Sequence, residues 1–141
     1  MFSPVVVLFL IAAGAIAEFD RSLLSEEKRE LMTTLHKTCV DQIGIPEDQI
    51  EKLKKGEFED GNKLQKCYGK CLMAESGVMD ENGGIDLEAF KELIPEQLRS
   101  KVTNTFTSCV HNAEQVNDHC DKAFKIFQCF YENDRENYFI A

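Results

Sequence analysis

Apolar residues return every three or four positions along most of the chain, the spacing of one face of a helix. Ser25 can cap a helix whose apolar positions are Leu31, Leu35, Cys39 and Ile43, and Gly44 and Pro46 end it. Pro46 opens a short helix with Ile50 and Leu53 on one side, stopped by Gly56. Asp60 or Asn62 starts a third, with a stripe of Leu64, Cys67, Tyr68, Cys71 and Leu72 closed by Ser76-Gly77. Asp86 caps "LEAFKELI". Pro95 can occupy the first turn of "EQLRSKVTNTFTSCVHNA", where Leu98, Val102, Phe106, Cys109 and Ala113 share a face. Asp118 caps "HCDKAFKIFQCFYEN". Strand-like alternation, internal repeats and low-complexity segments are absent from the sequence. The expectation is an all-α domain of about six short helices.

The first 17 residues break this pattern. "MFSPVVVLFLIAAGAIA" carries no charged side chain and is almost wholly apolar. It is too short to span a bilayer comfortably and ends in the small-x-small pattern Ala15-Ile16-Ala17. Residues 1–17 therefore read as a secretory signal peptide and residues 18–141 as one soluble, extracellular domain. The chain has a net charge of −9. Such an acidic balance disfavours nucleic-acid and anionic-membrane partners, which need a basic footprint.

Six cysteines in a secreted chain read as three disulfides. Cys120 and Cys129, nine residues apart at about 100° per residue, lie on opposite faces of the last helix and do not pair with each other. Cys67 and Cys71 leave adjacent turns of one face and do not pair either. Ten of the fifteen possible pairings then remain open. The third helix is tied to two separate places, and the last is gripped on both faces. A domain of this length folds without three such staples, so their presence fits a core left incompletely filled, as by a cavity.

Other chemistry is poorly supported. "DENGGIDLEAF" starts like a calcium loop, with Asp80 and Asn82 at positions 1 and 3. Gly84 at 5, Ile85 at 6 and Lys91 at 12 then supply none of the groups such a loop needs. A zinc site from Cys67, Cys71, His111, His119 and Cys120 would need thiolates that an oxidising compartment commits to disulfides. No G-x-S-x-G elbow is present, and Ser22, Ser25, Ser76, Ser100 and Ser108 fall near caps, turns or polar faces. We expect no enzyme, catalytic residue, cofactor or metal, and no N-glycosylation, because N-x-S/T is absent.

The intervals between successive cysteines are 27, 3, 37, 10 and 8 residues. This spacing, behind a leader and on six helical segments, resembles the insect odorant-binding protein family. "LHKTC", "KCYGKC", "DENGGIDLE", "CDKAF" and the ending "ENYFIA" are similar to its mosquito members. The resemblance implies the pairing Cys39–Cys71, Cys67–Cys120 and Cys109–Cys129. It implies an apolar cavity lined by Leu72, Met73, Leu87, Phe90, Ile94, Val102, Phe127, Phe130, Tyr138 and Phe139. Read without it, each would be ordinary core. The mosquito members often have Trp after the sixth cysteine, where this chain has Phe130 and no Trp anywhere.

The implied role is carriage of small hydrophobic odorants or pheromones in the fluid around olfactory neurons, the sensillar lymph, for delivery to an olfactory receptor. The carrier would be a monomer or weak homodimer. The alternative is a carrier of the same fold in saliva, reproductive fluid or gut. The twelve residues after Cys129, "FYENDRENYFIA", end in apolar side chains that a solvated tail would not use. By the resemblance, this tail covers the pocket, and Ala141 is held there by His36 and Tyr68.

Overall fold

A computed structural model describes residues 20–141. The 1–17 leader lies outside the described residues. Six α-helices are described: α1 Glu26–Ile43, α2 Glu47–Lys54, α3 Lys63–Glu75, α4 Leu87–Leu93, α5 Arg99–Asn112 and α6 His119–Asn133. Short 3₁₀ turns at Arg21–Leu23, Glu96–Leu98 and Arg135–Asn137 join or extend them. Among the described residues strand pairing is limited to one isolated bridge, Met79 to Ile85, and no helix is long and apolar enough to cross a membrane.

The helix starts are set by side chains that satisfy otherwise unpaired amide groups. Ser25 Oγ accepts from Lys28 N, and Asn62 Oδ1 from Gln65 N. Asp86 and Asp118 do the same for Ala89 N and Asp121 N. Gly44, at φ 72°, closes α1 in the left-handed conformation that costs glycine least. The stretch after Pro95 is a 3₁₀ turn before α5 rather than the first turn of one continuous helix.

Helix α3 is the hub. Cys71 bonds Cys39 of α1, and Cys67 bonds Cys120 at the start of α6. Cys109 of α5 bonds Cys129 of α6. The three bonds therefore tie four of the six helices together, and α6 is held from both faces.

Two stripe residues differ from the periodic reading: Leu31 of α1 is 36% exposed and Leu64 of α3 is 41% exposed. Both precede the cysteines that pin their helices, Cys39 and Cys67. The packed part of α1 lies nearer Cys39, at Leu35 and Cys39, with Met32 partly buried. The stripe thus continues past the region where another element covers it.

The core falls into two groups of buried side chains. One gathers Met73, Ile94, Val102, Phe106, Ile126 and Phe130 among others, and includes Tyr138. The second gathers Leu35, Ile50, Leu53, Tyr68, Leu72 and Phe124, and includes Ile140. The tail thus places one side chain in each, while Phe58 and Phe127 pack against both.

Candidate functional site

Between the two groups lies a cavity of about 100 Å³. Five helices and the tail wall it. Met32 and Leu35 come from α1, and Leu72, Met73 and Ser76 from the end of α3. Helix α4 supplies Phe90 and Leu93, followed by Ile94. Val102 and Phe106 come from α5, and Ile126, Phe127 and Phe130 from α6. Val78 and the tail residues 137–141 complete the wall. Phe90 lies flat on Phe106, with ring centroids 3.7 Å apart and planes 3° from parallel.

The lining carries no Lys, Arg, His, Asp or Glu side chain. Its polar side chains are those of Ser76, Asn137 and Tyr138. Ser76 Oγ donates to Met73 O at 3.1 Å. Asn137 turns its Nδ2 to both oxygens of Asp134, each at 3.0 Å. Tyr138 Oη donates to Leu53 O at 2.7 Å.

Nine of the ten expected lining residues are in this wall: Leu72, Met73, Phe90, Ile94, Val102, Phe127, Phe130, Tyr138 and Phe139. Leu87 is not. It is the first residue of α4 and packs on the core beside the cavity, while Phe90, one turn on, is the first α4 residue to reach the wall. As lining residues, sequence reasoning missed Met32, Leu35, Ser76, Val78, Leu93, Phe106, Ile126, Asn137 and Ile140. For α1 the available signal was periodicity, since Met32 stands three residues before Leu35. Asn137 and Ile140 carried no periodic signal, because the tail follows the last helix as a single turn and an extended end.

The tail is anchored at two points by tyrosines. Tyr138, from the tail, reaches α2 through Leu53 O. Tyr68, from α3 and fully buried, donates its hydroxyl hydrogen to the main-chain oxygen of Ala141. The hydrogen bonds of His36 go to Tyr68 and Glu47 rather than to Ala141. Its Nδ1 lies 3.0 Å from Tyr68 Oη, and its Nε2 lies 2.9 Å from Glu47 Oε1. Tyr68 Oη thus stands within hydrogen-bond reach of both Ala141 and His36 Nδ1. The chain of contacts is thus Glu47, His36, Tyr68, Ala141, rather than two direct grips on the tail.

Burial raises the pKa of both tyrosines above the usual phenol value. At Tyr68 the charge of Glu47 adds to the effect, and at Tyr138 the neighbour Tyr131 does. Both hydroxyls are therefore held as donors.

Six helices stapled through a central one, around an apolar cavity walled in part by the tail, form the architecture of a small-molecule carrier. The chain belongs to the PBP/GOBP family, whose model matches residues 22–133. It is 29% identical over 129 residues to odorant-binding protein 22 of Aedes aegypti, covering 91% of this chain and 88% of that one. It is 28% identical over 141 residues to the B1 protein of Tenebrio molitor, covering 94% of each. Odorant-binding protein 5 of Apis mellifera superposes with a TM-score of 0.72 at 22% identity, over 84% of this chain and 98% of that one. The fatty acid binding protein OBP56a from the oral disk of the blowfly Phormia regina does so at 0.59 and 22% identity, over 80% and 96%.

Proposed function

We propose that this protein is a secreted carrier that takes up small, neutral, apolar molecules in its internal cavity and holds them under its tail. The cavity itself carries this reading. Its wall is apolar apart from three side chains already bonded within the protein, and no charged side chain reaches it. Such a space gains from an apolar occupant and gives water few partners. Met32 and Met73 supply flexible, polarisable walls that accommodate more than one ligand shape. The names of relatives point to odorants, and delivery to an olfactory receptor follows as the role for such a carrier. The same cavity would serve equally in a non-olfactory secretion.

The test is a fluorescent probe that brightens in apolar surroundings, N-phenyl-1-naphthylamine, which does not depend on tryptophan. It should bind in the micromolar range, roughly −8 kcal/mol, and be displaced by neutral apolar compounds. Phe127→Ser, inside the wall, should weaken probe binding at least about tenfold. Leu64→Ser, on the exposed face of α3, should leave it unchanged. Equal losses, or none, would remove the cavity from the account.

A further inference from the structure

The chain has no Trp, and all six cysteines are held in disulfides, so no free thiol competes for an oxidant. The thioethers of methionine are then the readily oxidised side chains that remain. Three lie among the described residues: Met32, Met73 and Met79. Met73 and Met79 are buried, at 5% and 3% exposure, whereas Met32 is only partly buried. Met32 stands where α1 passes from solvent to core. Leu31 before it is exposed, and Leu35, one turn on, is buried. Glu26, Arg29 and Glu30 of the same helix line an open, charged groove. Yet Met32 is also part of the cavity wall. Its side chain therefore borders both water and the apolar space.

We propose that Met32 is a modification site, oxidised to the sulfoxide by hydrogen peroxide, and that this oxidation lowers the affinity of the cavity for an apolar ligand. The sulfur attacks one peroxide oxygen and the O–O bond breaks. That oxygen stays on sulfur, and the other leaves as water, taking up the proton of the first. The sulfur loses two electrons and the peroxide gains them. The product replaces a soft, apolar thioether with a polar group and adds an oxygen atom. Kept in the wall, that oxygen is desolvated against an apolar lining and takes room from a cavity of about 100 Å³. Turned to solvent, it removes a wall contact from the ligand. Both arrangements weaken binding. This inference rests on the carrier reading and adds a chemical control to it.

The experiment treats the full chain with dilute hydrogen peroxide at neutral pH, follows each methionine by peptide mapping in a mass spectrometer, and titrates N-phenyl-1-naphthylamine before and after. Met32 should gain one oxygen well before Met73 and Met79 do. Probe affinity should fall about tenfold once Met32 is converted. Met32→Leu, compared with its own untreated sample, should keep its affinity through the same treatment. Should that variant not fold, the order of oxidation and the affinity of the wild-type chain decide alone. Oxidation of Met73 or Met79 ahead of Met32, unchanged probe affinity after full conversion of Met32, or an equal loss in Met32→Leu overturns the inference and leaves the carrier reading standing. Failure of the untreated chain to bind the probe overturns both.

Discussion

Tyr68 and Tyr138 each do two things at one position: they fill the core, and they bond the main chain of another segment. Burial favours the neutral phenol, so each folded-state value lies above the unfolded one. Their contribution to stability is therefore complete below about pH 10 and is lost as pH rises past the ordinary tyrosine value. We predict that tyrosinate absorbance at about pH 10.5 stays well short of that of the guanidinium-unfolded chain and reaches it only as the fold is lost. Parallel titration of the folded and unfolded chain checks this, and coincident curves would contradict the burial.

Gly56 is a second residue-scale constraint. It sits at φ 77°, and a β-carbon there would come within 2.1 Å of the Tyr131 ring. Gly56→Ala should cost roughly 1–3 kcal/mol, from backbone strain plus displacement of Tyr131. Chemical denaturation at matched slope measures it, and an unchanged midpoint would count against the close approach.

At the scale of elements, the helices were legible because their starts carry cap residues and their stripes keep one period. Ser25, Asp86 and Asp118 cap where the sequence placed them, and Asn62 is the one of two candidates that does. What periodicity could not show is which part of a stripe is covered. Leu31 and Leu64 fit their patterns and face solvent, because coverage depends on neighbours that local sequence does not encode. The tail is the opposite case: it has no period, yet Tyr138 and Ile140 are buried and Phe139 is partly so. Its composition signalled burial, but the route through Leu53, Tyr68 and the intermediary Glu47–His36 contact needed the fold. A chain ending at Asn137 loses Tyr138 and Ile140 from the core, worth about 1.5–3 kcal/mol each before ordering costs. It should bind the naphthylamine probe at least about tenfold more weakly. A titration of both chains decides this, and equal affinity would deny the tail a role as lid.

For the whole molecule, the arrangement resolves into a rigid frame and an unfilled centre. The three disulfides hold α1, α3, α5 and α6 at fixed separations, and the cavity lies where their side chains and the tail do not quite meet. A frame stabilised in this way tolerates a void that would otherwise cost packing energy. The sequence showed the frame through its cysteines, and most of the wall through the family resemblance. It did not show the contribution of α1, nor the bonds that engage the polar side chains of the wall, such as Ser76 to Met73 O, which only the folded chain makes.

The central claim, that an apolar ligand enters this cavity, is tested most directly by following amide and methyl chemical shifts of the full chain during titration with N-phenyl-1-naphthylamine. The account predicts saturation at one ligand per chain, with the largest changes at Phe90, Val102, Phe127, Phe130 and Phe139. Changes confined to the charged surface groove of α1 formed by Glu26, Arg29 and Glu30, or shifts that never saturate, would contradict it.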